Sequence, residues 1–379
     1  MQFLLTSVVF AAFDARDIAS DQDWGAFIDF IGKHRRGVGY RDERETIGRF
    51  AVFKQTLKRV SELNAQPGRT ETLGITQFAD LTPAEFRQRY LTIGDDGRNE
   101  STSMSWRRPR DLLASHTAAA ATTSQLRRPP RAARGGFNYT ASPSNTAASS
   151  IDWREKGVVS DVKNQQMCGA CWAFSAAEQL ETDFAIWFGE LNTLSTQQLT
   201  SCDYRCQGCN GGWPANGLWY IHDKGGLMSE SDYPYDSGET GQTGTCQANT
   251  AKAVAGVGDV WVISRRTWWN PFEQGDEGNM LYQIAFSPMS IVLCATLWAY
   301  YTGGVVSSTS GCGSDINHAA QIVGYNAEQN YWIVRNSWGD QWGDGGYIYI
   351  QAGANVCGID YEAIISKPRN LKADEVANS

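Results

Sequence analysis

The sequence predicts an α+β fold of two lobes, preceded by a separate helical segment. Three observations carry this expectation. Helical apolar spacing dominates from Ser150 to about Lys224. Beyond about Ala251, short β-rich runs take over, separated by Gly, Asn and Asp turns. Between a polar helical stretch (22–91) and this body lies a Ser/Thr/Ala/Arg/Pro/Gly-rich stretch without periodicity, residues 92–149.

The chain in order gives each element its reason. Phe3 to Phe13 is a short apolar run with small residues Ala11, Ala12 and Ala15 near its end. Residues 1–15 read as a signal peptide lacking a basic start. Within 22–91, Glu45, Arg49, Phe53, Thr56, Val60 and Asn64 line one helix face. Thr82 before Pro83, with Glu85 three later, marks a capping-box helix start. Residues 92–149 read as a flexible basic linker open to proteolysis, with sequons at Asn99 and Asn138. Counting from Ala173, apolar residues Ala177, Leu180, Phe184, Trp187 and Phe188 form one helix face that stops at Gly189. Strands are expected at Val260–Ile263, Met289–Ala295, Ala320–Tyr325, Tyr331–Arg335 and Gly346–Gln351, and a polar tail at 368–379. Ser264–Asn279 is expected to be a long loop packed by Trp268 and Trp269.

The chain's 379 residues carry a formal charge of −8, unevenly placed. Residues 1–150 hold 21 Lys+Arg against 16 Asp+Glu, a net of +5, which leaves −13 for the remainder. An acidic body argues against nucleic acid as a partner, and no apolar run reaches membrane-spanning length. All nine cysteines lie between 168 and 357. An odd number in a secreted chain suggests disulfides plus a free thiol.

Cys171 sits at the start of the apolar helix, where unpaired N–H groups and the helix dipole favour a thiolate. A structural cysteine and a redox pair with Cys168 are equally open readings of that stretch. A nucleophilic cysteine needs a base and an orienting partner. After residue 150 the histidines are His222, at a helix end suited to capping or solvent, and His318, where a loop enters a strand. Asn336 follows a strand and could fix the tautomer of His318. Cys202, Cys206 and Cys209 have zinc-like spacing but lack partner ligands, so no metal or cofactor is expected.

Cys168-Gly169-Ala170-Cys171-Trp172, with His318 147 and Asn336 165 residues downstream of Cys171, resembles the papain-like cysteine proteases. Asp152-Trp153-Arg154, Gly208-Cys209-Asn210-Gly211-Gly212 and Asn336-Ser337-Trp338-Gly339 are similar to that family's segments. Glu45, Arg49, Phe53, Val60 and Asn64, with Gly74, Phe78 and Asp80, resemble the propeptide motifs of its cathepsin L-like branch; Thr56 and Thr76 replace the usual Asn. The resemblance covers about 22–91 and 150–367.

It implies a helical left lobe, a β-barrel-like right lobe and an inhibitory propeptide at 22–91 whose continuation crosses the cleft, with maturation near Ala147. It implies Cys171 as nucleophile, His318 as base in a thiolate–imidazolium pair, Asn336 as its orienter and Gln165 as oxyanion donor. Substrate would meet Gly169, Gly211, Gly212, Trp213, Pro214, Val292, Ile316, Asn317, Ala319, Trp338 and Glu362. The pocket for the residue second before the cut bond would be apolar, with Glu362 at its floor to accept Arg. Implied disulfides are Cys168–Cys209, Cys202–Cys246 and Cys312–Cys357; Cys206 and Cys294 pair or stay free. Gln166-Met167 and Asn317 depart from the family pattern of Gly-Ser and Asp. The expected protein is a monomeric cysteine endopeptidase zymogen of the secretory pathway, lysosomal, vacuolar or extracellular, acting on peptides. Protonation of propeptide carboxylates is expected to release it in acid. The alternatives are a peptide ligase or a non-catalytic binding relative.

Overall fold

The computed structural model describes residues 21–36, 39–93, 149–266 and 275–371. The expected signal peptide, most of the linker with both sequons, the maturation site, the Trp268-Trp269 pair and most of the tail lie outside the described residues.

The front segment folds as a helical hairpin. Helices α1 (Trp24–His34) and α2 (Glu43–Asn64) bury Phe27, Phe30, Phe50 and Phe53 in one aromatic cluster. Asp42 caps α2 by accepting the Glu45 N–H. Asn64 bonds both the N–H and the carbonyl of Leu73, at 3.2 and 2.8 Å. That clasp fixes strand β1 (Glu71–Leu73) beside the end of α2. Helix α3 (Pro83–Tyr90) starts at the expected capping box, Thr82 with Glu85. Arg49 reaches from α2 to Glu85 and to the Asp80 carbonyl, at 2.8 and 3.0 Å.

The left lobe is built on α4 (Cys171–Phe188), which ends at Gly189 in left-handed conformation. Around it pack α5 (Thr196–Cys202), α6 (Pro214–Lys224) and short α7 (Ser237–Thr240). Fifteen consecutive residues of α4, Cys171 to Ala185, are buried, because α4 lies between the lobes. Its polar positions there are satisfied across the divide. Asp183 accepts from Ser287 Oγ, Gln179 Nε2 and both N–H and Oγ of Ser366, at 2.6–3.0 Å. Arg335 faces Glu178 at 3.4 Å, and Lys163 pairs with Glu181.

The right lobe carries a mixed sheet in the order β1-β6-β9-β8-β7-β5-β10-β4-β3. Its strands are β2 (Ile151–Asp152), β3 (Leu227–Met228), β4 (Ala253–Arg265), β5 (Met289–Leu293), β6 (Tyr301–Val306), β7 (His318–Asn326), β8 (Tyr331–Arg335), β9 (Tyr347–Gln351) and β10 (Glu362–Arg369). Strand β2 pairs with β7, off the main path. Helix α8 (Glu277–Gln283) precedes β5. The path runs open from β1 to β3, so a large open sheet replaces the expected barrel-like closure. Strand β1 belongs to the front segment yet occupies the end of this sheet, antiparallel to β6. The sequence gives no sign of it: three residues are too few to show alternation. Strand β6 is equally hidden by Gly303-Gly304, which break its β pattern.

Candidate active site

Cys171 opens α4, whose N-cap residue Ala170 offers no side-chain hydrogen bond. The preceding loop is held from several sides. Gln165 N–H donates to the Ser337 carbonyl at 2.8 Å, and Gly169 N–H to the Cys209 carbonyl at 3.0 Å. Cys168 is bonded to Cys209, which excludes a Cys168–Cys171 redox pair. A Cβ on Gly169 would sit 2.4 Å from the Cys209 carbonyl oxygen, so only glycine lets the two loops approach. The other disulfides are Cys202–Cys246 and Cys312–Cys357. Cys171, Cys206 and Cys294 are free thiols.

His318 opens β7 from the other lobe and is fully buried. Its Nε2–H donates to Asn336 Oδ1 at 2.8 Å. The ring packs against Trp338 and Trp298, with centroids 4.8 and 5.6 Å away. Nδ1 has no hydrogen-bond partner among the described residues. The backbone N–H of Ala319, the residue after His318, acts on the Cys171 thiol, so the start of β7 lies beside the start of α4.

Gln165 is buried, and its amide is fixed at both ends. Oε1 accepts from Ser337 Oγ at 2.8 Å and Trp338 Nε1 at 3.1 Å, while Nε2 donates to the Cys168 carbonyl at 3.0 Å. One amide hydrogen remains for a ligand at the mouth of α4. The segment 336–338 thus orients both His318 and Gln165. His222 pairs with Asp223 at an exposed helix end, away from this constellation.

The front segment covers the site. Thr92 Oγ1 donates to the Gly169 carbonyl at 2.7 Å, and Ile93 N–H donates to the Asn317 carbonyl at 3.3 Å. A Cβ on Gly211 (φ +118°) would overlap the Thr92 carbonyl oxygen. Gly212 likewise leaves no room for a Cβ beside Trp172. Phe78, Phe86 and Tyr90 pack edge-on to Trp338 at 5.1–6.0 Å, and Gln77 Nε2 donates to its carbonyl at 2.8 Å.

Under this cover both titrating groups lose their hydration. Burial pushes the Cys171 thiol up, against the Ala319 N–H and Thr92. Burial pushes His318 down to about 4, against its bond to Asn336 and the backbone of Tyr90 in the covering segment. The covered site therefore favours a neutral thiol and a neutral imidazole.

Trp213, Val292 and Ala319 share one buried cluster with partly buried Ile316, and Ile93 packs into it. Pro214 opens α6 beside Trp213. The Asn317 side chain does not enter the cleft. Its Oδ1 accepts from Ala295 N–H at 2.9 Å and its Nδ2 donates to Thr296 Oγ1 at 3.0 Å. Only its carbonyl faces the covering chain. Glu362 is 2% exposed, accepts from Trp213 Nε1 and faces Arg265. The expected acceptor of an arginine is thus already engaged, and Arg265 went unnoticed in sequence because only strand pairing brings it there.

Residues 147–367 match the papain family cysteine protease profile, and residues 27–86 the cathepsin propeptide inhibitor domain. The chain belongs to the papain family. As a papain-family cysteine protease it is a peptide hydrolase made with an inhibitory propeptide. It is 32% identical to fruit bromelain of Ananas comosus, over 91% of this chain and 86% of that protein. It is 34% identical to cysteine proteinase 1 of Zea mays, over 88% and 84% of the two chains. Digestive procathepsin L 3 of Tenebrio molitor larval midgut superposes with a TM-score of 0.70 at 28% identity, covering 91% of this chain and 99% of its own. Among the described residues no helix is long and apolar enough to cross a membrane.

Proposed function

We propose that this papain-family zymogen matures to an endopeptidase in which Cys171 is the nucleophile and His318 its base. The observation that carries the reading is the His318 Nε2–Asn336 bond, which leaves Nδ1 for the thiol that meets the Ala319 N–H. With the propeptide gone, the thiol passes its proton to His318 and the thiolate attacks the substrate carbonyl. The oxyanion takes one hydrogen bond from the Cys171 backbone N–H and one from Gln165 Nε2. The imidazolium then gives its proton to the departing amine, leaving a thioester. His318 next removes a proton from water, which releases the acid and restores Cys171.

Gly211 lies bare beside the Thr92 carbonyl, a geometry suited to a substrate backbone running alongside, and Gly212 follows it against Cys206 and Trp172. Trp213, Pro214, Val292, Ile316 and Ala319 would form the pocket for the residue second before the cut bond, favouring bulky apolar side chains. Residues 22–91 would be the propeptide, 92–149 the cleavable linker and 150–367 the peptidase. Three disulfides suit a secretory route. The test is labelling of acid-processed enzyme with the epoxide E-64, followed by mapping of the modified cysteine. Label on Cys171 with loss of cleavage is expected; an active enzyme labelled elsewhere refutes the assignment. Product masses separate hydrolysis from ligation.

A further inference from the structure

Glu362 begins β10, and its directly opposed neighbours are Val292 on β5 and Arg265 on β4. Val292 belongs to the apolar cluster of the proposed pocket, so Glu362 lies on the strand beside that cluster. Directly opposed strand residues hold their Cβ atoms about 4.5–5.5 Å apart, which makes Arg265 a built-in neighbour of Glu362. Arg265 Nε stands 3.9 Å from Glu362 Oε2, with the two side chains 10% and 2% exposed. The other carboxylate oxygen takes the Trp213 Nε1–H from the pocket wall. The adjacent Arg266 has a carboxylate of its own, Asp360 at 2.8 Å, and so does not compete.

We propose that Arg265 is a specificity-determining residue that closes the pocket floor to arginine by compensating Glu362 from behind. This rests on the endopeptidase reading of the same cleft. A substrate guanidinium reaching the floor would meet a carboxylate whose charge is balanced, and behind it a second positive charge. It would lose its hydration without gaining an ion pair. A bulky apolar side chain meets no such penalty; Ile93, just beyond the propeptide, packs against that apolar cluster. The same Glu362 without Arg265 would be an arginine acceptor.

The test compares kcat/KM for Arg-Arg and Phe-Arg dipeptide substrates, using enzyme matured from the full-length precursor and titrated with the epoxide. The wild-type Arg/Phe ratio is expected at about 0.1 or below, and Arg265→Met should raise it about tenfold or more. Adding Glu362→Gln to that variant should abolish the gain, and Arg265→Lys should keep the wild-type ratio. A wild-type ratio near one, or an Arg265→Met ratio that does not move, overturns the proposal. Where Arg265→Met does not fold, Glu362→Gln alone decides. A ratio lowered by less than about twofold is expected, and a tenfold fall would show that Glu362 already accepts arginine. Failure of titrated wild type to cleave either peptide overturns the endopeptidase reading and this proposal with it; equal cleavage of both overturns this proposal alone.

Discussion

Thr92 Oγ1 donates a 2.7 Å hydrogen bond to the carbonyl of Gly169, two residues before Cys171. The chain leaving the propeptide is thereby fastened to the loop that precedes Cys171. A neutral hydrogen bond contributes about 0.5–1.5 kcal/mol net, or roughly two- to tenfold in an equilibrium. Thr92→Val keeps the shape and deletes the donor. The intact precursor of this variant should be labelled at Cys171 by the epoxide about two- to tenfold faster than wild type. Equal labelling rates would show that this bond does not hold the cover.

Gln165 is immobilised by Ser337, Trp338 and the Cys168 carbonyl before any substrate arrives. Such preorganised donors act mainly on the transition state. Gln165→Ala should lower kcat by about 10²–10³ with little change in KM. A variant that raised KM at unchanged kcat would instead make Gln165 a ground-state binding residue.

His34 ends α1 with its ring 5.2 Å from Phe30. Burial, then Lys33 and Arg35, hold its pKa below the usual 6.5, against the pull of Asp80. The unfolded chain binds this proton more readily, so the propeptide loses stability as pH falls below about 6.5. Glu85 behaves differently. Burial raises it, but Arg49 and the Thr82 N–H and hydroxyl prevail and hold it at about 2. Its contribution is full above pH 4.5 and is lost as pH falls through about 2, so it does not supply the expected carboxylate trigger in mild acid. His34→Gln should therefore shift the midpoint of precursor processing to lower pH. Processing rates between pH 4.5 and 7.5 test this, and an unmoved midpoint would discard His34 as the trigger.

Asp183 is pushed up to about 6 by burial, against its bonds from Ser287, Gln179 and Ser366. Asp203 is also raised to about 6 by burial. Each holds a proton in the folded state that the unfolded chain releases near 3.8. Stability of the peptidase domain therefore declines as pH rises from about 4 to 6, by on the order of 3 kcal/mol for Asp183. The Tm of mature enzyme should drop by several degrees from pH 5 to 7.5. Asp183→Asn should lower Tm throughout and reduce that slope; a slope unchanged by the substitution would refute the assignment.

Gln166 adopts φ +51°, a left-handed conformation that costs an L-residue roughly 1–2 kcal/mol and glycine nothing. Gln166→Gly should raise Tm by about 1–4 °C after glycine's own entropy cost. Calorimetry of the epoxide-blocked enzyme measures it.

Sequence patterns reveal features governed by local spacing. The run from Cys171 to Gly189 foretells α4 because both its apolar period and its stop are written in adjacent residues. Thr82 and Glu85 foretell α3 for the same reason. Cys171, His318 and Asn336 stand out as residue types, yet nothing local says that the Ala319 N–H meets the sulfur; the sheet does that. Arg265 and the clasp between Asn64 and Leu73 are invisible beforehand, since strand register and a helix-to-strand turn create them. The turned-away side chain of Asn317 is likewise a product of the Ala295–Thr296 loop.

Strand β1 pairs Glu71, Thr72 and Leu73 with Gly304, Gly303 and Tyr301 of β6. On the zymogen reading, maturation peels this outermost ribbon from a finished sheet. Strand β6 then becomes a rim whose backbone donors and acceptors face solvent. An extended segment from another molecule could take the vacated place. Freshly processed enzyme thus acquires a point of self-adhesion that its precursor keeps sheathed, and concentrated preparations should associate only after the propeptide has left.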